Sequence, residues 1–523
     1  MRRRLILLVA LTLAASTGSG LARATEPADE LAKRFVSSKT PPNAPSVQEC
    51  TVGPTAAANV NLDCDDPFPN NEPNVVVDPA DPRHVIVSSN DYGSCCDEYY
   101  TTFDGGRTWV TGNMSTRGPN ITGSDPITVI DPVHGTAVHF SLNYHVSSGI
   151  PAVNGDVVAS VSTDGGRSWQ VPVVVGHGRG AALFIDKEGA TVDLYPASPH
   201  YGRIYLTWTG FGGDAKRSQR SPIVSAASDD GGRTWTTPHE ISGSNPALCT
   251  FQTSGPAGEC DEDQFSYPVV TPDGAVHVAF QNSQHEAAWE AGEQFESQYL
   301  VVTSTDGGQT FGAPVHVADQ EDGTRDFPLN DDGRPTLTGM AMRVPSGGNI
   351  AADPRPGTNR LYVTWTDNSA GTHDTDNPVT RARVYIATSA DGGATWSAGL
   401  PVQAVPGADA DQWFPWVDVA PDGTVGVVYN QRTGPDTYAA DLAQGAFGAL
   451  TATRLTTADS DANHSLYFQE ASADCPECTV FHGDYLGLDY GSDGTVNAAW
   501  TDMRDVDADS GLHQQFVYFA HLG

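Results

Sequence analysis

A chain of 523 residues with 64 acidic against 28 basic side chains carries a formal charge of −36. Only Lys33, Lys39, Lys187 and Lys216 are lysines. This balance excludes a surface for DNA, RNA or anionic lipid, each of which needs clustered cations; it favours solubility and leaves carboxylates free for cations.

Residues 1–24 read as a signal peptide. Arg2-Arg3-Arg4 precede an apolar run over 5–15, and Ala22-Arg23-Ala24 fits a small-x-small cleavage site, so the expectation is a secreted chain starting near Thr25. The apolar run is too short to span a membrane and no later segment offers a span. Residues 25–60, rich in Pro, Ala and Ser, read as an N-terminal arm, and 61–523 as a single domain, since no compositional break divides them. Eight cysteines in an exported chain predict disulfides. Local pairing is expected for Cys50 with Cys64 and for Cys249 with Cys260. Cys95 and Cys96 are adjacent, and Cys475-Pro476-Glu477-Cys478 reads as a loop staple because no second CxxC accompanies it.

Beyond the arm, pairs of apolar strands joined by short turns recur seven times. In chain order they are 74–78 with 84–88, 127–131 with 137–142, 190–194 with 203–208, 267–271 with 275–281, 350–353 with 361–365, 416–420 with 424–429, and 485–490 with 495–500. The first five are followed by one repeated turn centred on Asp104, Asp164, Asp230, Asp306 and Asp391, as in Ser162-Thr163-Asp164-Gly165-Gly166-Arg167-Ser168-Trp169. The last two have no such turn, and 438–442 and 516–521 read as their third strands. In the turn the carboxylate accepts backbone N–H groups, the glycines supply positive φ, and the closing Trp or Phe buries its ring as the return strand begins.

This motif resembles the Asp box (BNR repeat) of sialidases and related β-propellers, where it joins the third and fourth strands of a blade. The resemblance implies an all-β, sialidase-like propeller of four-stranded blades, with the five box aspartates as turn formers. Seven units of about 65 residues favour seven blades, with six as the alternative. Closure of the ring is expected from the arm, as an outer strand beside the last blade.

In a propeller the ends of the two inner strands of each blade face the mouth of a central channel. Before the first strands stand Glu72, Asp125, Asp186 with Glu188, Asp263, Asn349, Asp411 and Asp484; after the second stand Asp367, Arg432, Asp502 and Arg504, among others. Converging carboxylates can bind calcium, supply paired acids of separated pKa for glycoside hydrolysis, or hydrogen-bond sugar hydroxyls beside rings such as Phe265 and Trp413. The segment His482-Gly483-Asp484-Tyr485 with Trp500-Thr501-Asp502-Met503-Arg504 resembles signatures of exported sialidase-like proteins. The expected catalytic set is therefore Asp484, Tyr485, Arg504, Asp502, Arg432, Asp411 and Asp263. The expected ligand-binding set is Glu72, Asp125, Glu188, Asp367, Trp413, Phe265 and His482. Asp505, Asp507 and Asp509 before Gly511 read as a solvated loop ahead of a calcium site.

The sialidase resemblance implies three arginines for the sugar carboxylate, a Tyr–Glu nucleophile and an aspartate acid/base. The family's early Arg-Ile-Pro is absent here; Arg203-Ile204-Tyr205 lies in the third unit, and beyond Arg432 and Arg504 only the loop residues Arg325 and Arg334 offer themselves. The leading expectation is a monomeric, secreted, glycan-acting hydrolase of exo-sialidase-like build. The alternatives are a non-catalytic propeller binding glycan, protein or calcium, and a polysaccharide lyase using His482 and Tyr485 on uronate polymers.

Overall fold

Each predicted strand pair becomes the inner half of an antiparallel sheet, and the third and fourth strands extend that sheet outward. The computed structural model describes residues 59–523 except 64–67, 94–95, 118–120, 148–149, 180–182, 213–219, 252–255, 287–295, 324, 331–332, 375–376, 404–409 and 467–480. The predicted leader, nearly all of the arm, and Cys50, Cys64, Cys95, Cys475 and Cys478 lie outside these residues.

Among the described residues seven sheets form a β-propeller. Blade 1 is Asn70–Asp78, Asp81–Asp91, Asp97–Thr102 and Val110–Asn113; blade 2 is Ile121–Asp131, Thr136–Ser147, Ile150–Ser162 and Val173–Gly176. Blade 3 is Leu183–Val192, Ile204–Gly212, Ile223–Ser228 and His239–Glu240; blade 4 is Asp263–Val270, Val276–Asn282, Gln298–Ser304 and Val315–Asp319. A hairpin of Thr336–Leu337 and Met340–Arg343 precedes blade 5, which is Ile350–Ala352, Leu361–Asp367, Arg383–Ser389 and Leu400–Pro401. Blade 6 is Gln412–Val419, Val425–Arg432, Thr437–Gly445 and Thr451–Arg454, with Ser460–Asp461 added to its third strand. Blade 7 holds Gly487–Tyr490, Val496–Asp502 and Phe516–Leu522, and the chain's own start closes it: Val60 pairs with Phe519 and Asn61 with Tyr518. No helix among the described residues is long and apolar enough to cross a membrane.

The middle strands are buried on both faces, which is why they read as near-continuous apolar runs. Val138, Phe140 and Leu142 of blade 2, for instance, pack with Ile204, Leu206 and Trp208 of blade 3. The Asp-Gly-Gly turns tighten these contacts. Asp164 Oδ1 accepts the Ser168 N–H at 2.9 Å and its Oδ2 accepts the Ser168 hydroxyl at 2.6 Å. Gly166, at φ 84°, leaves so little room that a Cβ there would lie 2.7 Å from Ile86 of blade 1. Its carbonyl accepts the Thr101 hydroxyl of blade 1 at 2.9 Å. The turn thus docks one blade on the preceding one. The same bonding, led by the Thr310 and Thr395 hydroxyls, holds the Asp306 and Asp391 carboxyls down at about 2. Asp164→Ala is expected to cost about 1–3 kcal/mol in denaturant unfolding, from lost turn hydrogen bonds, while leaving ligand binding at the axis unchanged.

Near the axis, side chains of one inner strand also peg the next. Asn74 accepts Thr128 N at 2.8 Å, Asn349 accepts Val417 N at 2.7 Å, Asp418 accepts Tyr490 N at 2.8 Å, and Asp489 accepts Val77 N at 2.7 Å. Cys249 and Cys260 form the expected local disulfide, and Cys96 is also disulfide-bonded.

Candidate functional site

The inner strands reach further toward the channel mouth than the sequence pattern suggests, because each continues past a bulge. Register slips fall between Asn71 and Asn74, Ser124 and Ile127, Asp186 and Gly189, Gln264 and Tyr267, and Trp413 and Trp416. Within them Glu72, Asp125, Lys187, Phe265 and Phe414 adopt φ of 53–60°, and Gly483 in blade 7 adopts 82°. A left-handed non-glycine residue costs of order 1–3 kcal/mol and persists only where its surroundings enforce it. Five such residues at one structural level mark the place where the propeller turns side chains into its channel.

At this level Lys187, Phe265 and their neighbours line a narrow, partly open pocket, and the pocket has two unlike halves. Blades 4 to 6 contribute Phe265, Ser266 and Tyr267, then Gly347 and Gly348, then Pro415 and Trp416. Tyr267 and Trp416 meet edge to face at 4.8 Å between centroids. Blades 3 and 7 contribute Lys187, Glu188, Asp484 and Tyr485, backed by Glu72, Asp125 and Asp186, whose charges act on them.

Burial, reinforced by mutual repulsion, lifts Glu72, Asp125, Asp186 and Glu188. Glu72 and Glu188 rise well above the usual carboxylate range, with Asp125 the leading charge on each after burial. Asp125 is raised too, and Asp186 is pushed up to about 7. Two cations stand among them. Arg343, delivered by the extra hairpin, hydrogen-bonds to Asp484 Oδ2. Lys187, the one lysine among the described residues, lies with Nζ 3.3 Å from the centroid of the Tyr485 ring. Burial lifts the Tyr485 hydroxyl well above its ordinary range, with Glu72, Asp125 and Glu188 adding to it, so it stays protonated. Lys187 Nζ, both Glu188 carboxyl oxygens and Asp484 Oδ1 are buried without a hydrogen-bond partner.

The structure therefore brings Glu72, Asp125, Glu188, Phe265, Asp484 and Tyr485 together and places the other expected site residues elsewhere. Asp263 and Asp411 lie before the bulge, not in it; the bulge of blades 4 and 6 holds Phe265 and Phe414. Asp263 is buried against Asn282 at 2.7 Å, and burial pushes it up to about 8. Asp411 is ion-paired with Arg432 at 2.9 Å, and Arg432 also donates to the carbonyls of Thr338, Gly434 and Pro435. Arg504 is closed on Asp502 at 2.7 Å, reaches Asn59 and Thr457, and lies over Tyr518, while Asp502 also takes the Trp500 indole N–H. Asp367 accepts Trp365 and Ser369 in the same manner. These acid and arginine pairs tie loops to their own blades. Trp413 is fully buried beside Tyr438, and His482 packs on that ring's other neighbourhood, where burial drives its imidazole down to about 3. Asp507 closes its own turn through Ser510, and Asp505 faces Tyr518 and Asn61, so the three aspartates do not converge.

Lys187 and Arg343 were not legible as site residues. The scarcity of lysine was a usable signal for the first; nothing local marks the second, which depends on where the hairpin falls.

No protein-family model matches the chain, and no curated relative matches it. Solved structures similar in fold include a protein of unknown function from Dyadobacter fermentans, at 12% identity and TM-score 0.45, covering 77% of this chain and 96% of that one. A leech intramolecular trans-sialidase aligns at 12% identity and TM-score 0.41, over 72% of this chain and 68% of its own. A Fusarium graminearum α-L-arabinofuranosidase aligns at 13% identity and TM-score 0.41, over 77% and 93%.

Proposed function

We propose that the axial pocket belongs to a glycan-acting glycoside hydrolase of sialidase-like build, and that the sugar it cleaves is neutral. The observation that carries this reading is the pocket's division. An aromatic half suits the C–H face of a sugar ring, and it faces an acidic half in which both Glu188 carboxyl oxygens and Asp484 Oδ1 have no hydrogen-bond partner. Glu188, raised by burial and Asp125, is the protonated member and serves as general acid to the leaving glycosidic oxygen. Asp484, ion-paired with Arg343, is the carboxylate at the anomeric carbon. The protonated Tyr485 hydroxyl and the Lys187 ammonium donate to ring or hydroxyl oxygens. An anionic sugar is disfavoured, because burial, and after it mutual repulsion, already raises these acids, and Arg343 stands alone where a sugar carboxylate calls for an arginine cluster. His482 is held in the core, which argues against a His–Tyr lyase pair.

The test is incubation of the protein, with calcium and with chelator, against neutral oligosaccharides, sialyllactose and polyuronates, with products read by mass. A neutral monosaccharide released by wild type and not by Glu188→Gln supports the reading. Free sialic acid overturns the charge argument, and unsaturated uronate ends overturn the hydrolase. Saturable binding without product moves the chain to the glycan-binding propellers.

A further inference from the structure

Blade 4 carries a second cluster of chemistry on the same face as the channel mouth but at its outer edge. His316 and Asp319 lie on the fourth strand, and His285 follows the second. In a regular strand residues three apart point to opposite faces. Here the pairing steps from Leu300 with His316 to Tyr299 with Ala318, so Val317 is an extra, bulged residue. The bulge returns His316 and Asp319 to one side. Blade 2 has the same bulge, between Val174 and Gly176, but sets Val174 where blade 4 has His316. The bulge is architectural; the ligating side chains are particular to blade 4.

His285 Nδ1 lies 3.3 Å and His316 Nε2 2.8 Å from the same oxygen, Asp319 Oδ1. All three atoms fall within 4.8 Å of one another, and the two rings meet at 5.9 Å between centroids. For ligands bound to zinc at about 2.0–2.1 Å, the edge of the tetrahedron is about 3.3 Å. The cluster is therefore already near the spacing a metal would impose. The strand end beneath it is braced: Gln320 N donates to Ser297 O at 2.7 Å, and Gln281 donates to the Gln320 side chain at 2.9 Å.

We propose that His285, His316 and Asp319 form a binding site for a borderline transition-metal dication, Zn²⁺ by preference, with the remaining coordination position open to solvent. Two imidazoles and one carboxylate suit Zn²⁺, whereas an oxygen-only set would suit calcium. The side chains are 15%, 35% and 50% exposed, so all three meet solvent.

Tag-free full-length protein, equilibrated with excess Zn²⁺ and gel-filtered, is expected to retain one ion per chain, and with Co²⁺ to show the intense visible absorption of four-coordinate cobalt. His316→Ala and the double variant His285→Ala/His316→Ala should lose the ion and keep the wild-type melting curve in metal-free buffer. Asp319→Asn, which keeps the shape of the side chain, should weaken retention with the same melting curve. A second cluster, Glu321 with Asp326 and His373, provides the internal control. His373→Ala should retain the ion. The proposal is overturned if wild type keeps no Zn²⁺, if the double variant keeps it, or if His373→Ala loses it.

Discussion

Glu188→Gln is expected to lower turnover on the cleaved glycan by about 10²–10⁴-fold, the usual contribution of a positioned general acid, with no loss of fold. The amide matches the protonated carboxyl in shape but has no proton to give. Its stability effect runs opposite to its activity effect. The Glu188 pKa is raised on folding, so the stability tied to its protonation is fully present below the unfolded value near 4 and is lost as pH rises through the folded value. Gln carries no such dependence. At pH 8 the variant should melt at or above the wild-type temperature, and at pH 4 the two should coincide. Activity in wild type should decline on the alkaline side as the acid deprotonates. A variant that melts early at every pH would assign Glu188 to the scaffold and remove the observation on which the hydrolase reading rests.

Asp489→Asn should stabilise the propeller at pH 8, where it removes one of two buried charges, and should flatten the pH dependence of stability. Asp418 and Asp489, on the inner strands of blades 6 and 7, hydrogen-bond to each other while each accepts a backbone N–H of the following blade. Burial, with the backbone bonds opposing it, pushes Asp418 up to about 6, and burial and the Asp418 charge drive Asp489 well above its normal range. The pair thus favours a shared proton in the folded state. Both shifts are upward, so the stabilisation is complete below about pH 4 and is lost as pH rises past 6. An asparagine at 489 keeps the acceptor for Val77 N, donates to Asp418 and removes one of the two charges. Thermal melts from pH 4 to 8 measure the effect; a variant less stable than wild type at pH 8 would show that the pair is held by something other than a shared proton.

Much of the architecture was legible because it rests on local chemistry. An Asp-Gly-Gly turn needs its own carboxylate, its own positive-φ glycines and its own ring, so each copy announces itself, and seven apolar pairs give the number of blades. The inner-strand starts were misjudged because left-handed residues such as Asp125 and Lys187 break the two-residue alternation on which strand reading depends. That error carried into the site. Asp263 and Asp411 looked equivalent to Glu72 by distance from the strand, yet Gln264 separates the first from its bulge, and Gln412 and Trp413 the second, so that Phe265 and Phe414 stand there instead.

The sequence by itself determined the all-β repeat and the turn chemistry, since these follow from period and turn residues; it made the Cys249–Cys260 pairing an expectation, and it held Glu72, Asp125, Glu188, Asp484 and Tyr485 undistinguished from acids and rings that the fold uses elsewhere. Only the tertiary structure decided which charges are spent inside the fold and which face the pocket. Arg504 with Asp502, and Arg432 with Asp411, satisfy each other beside their own strands. Arg343 crosses from the hairpin before blade 5 to Asp484 at the start of blade 7, and Lys187 crosses from blade 3 to Tyr485 of blade 7. Long-range pairings of this kind depend on the closure of the ring, which no local pattern encodes.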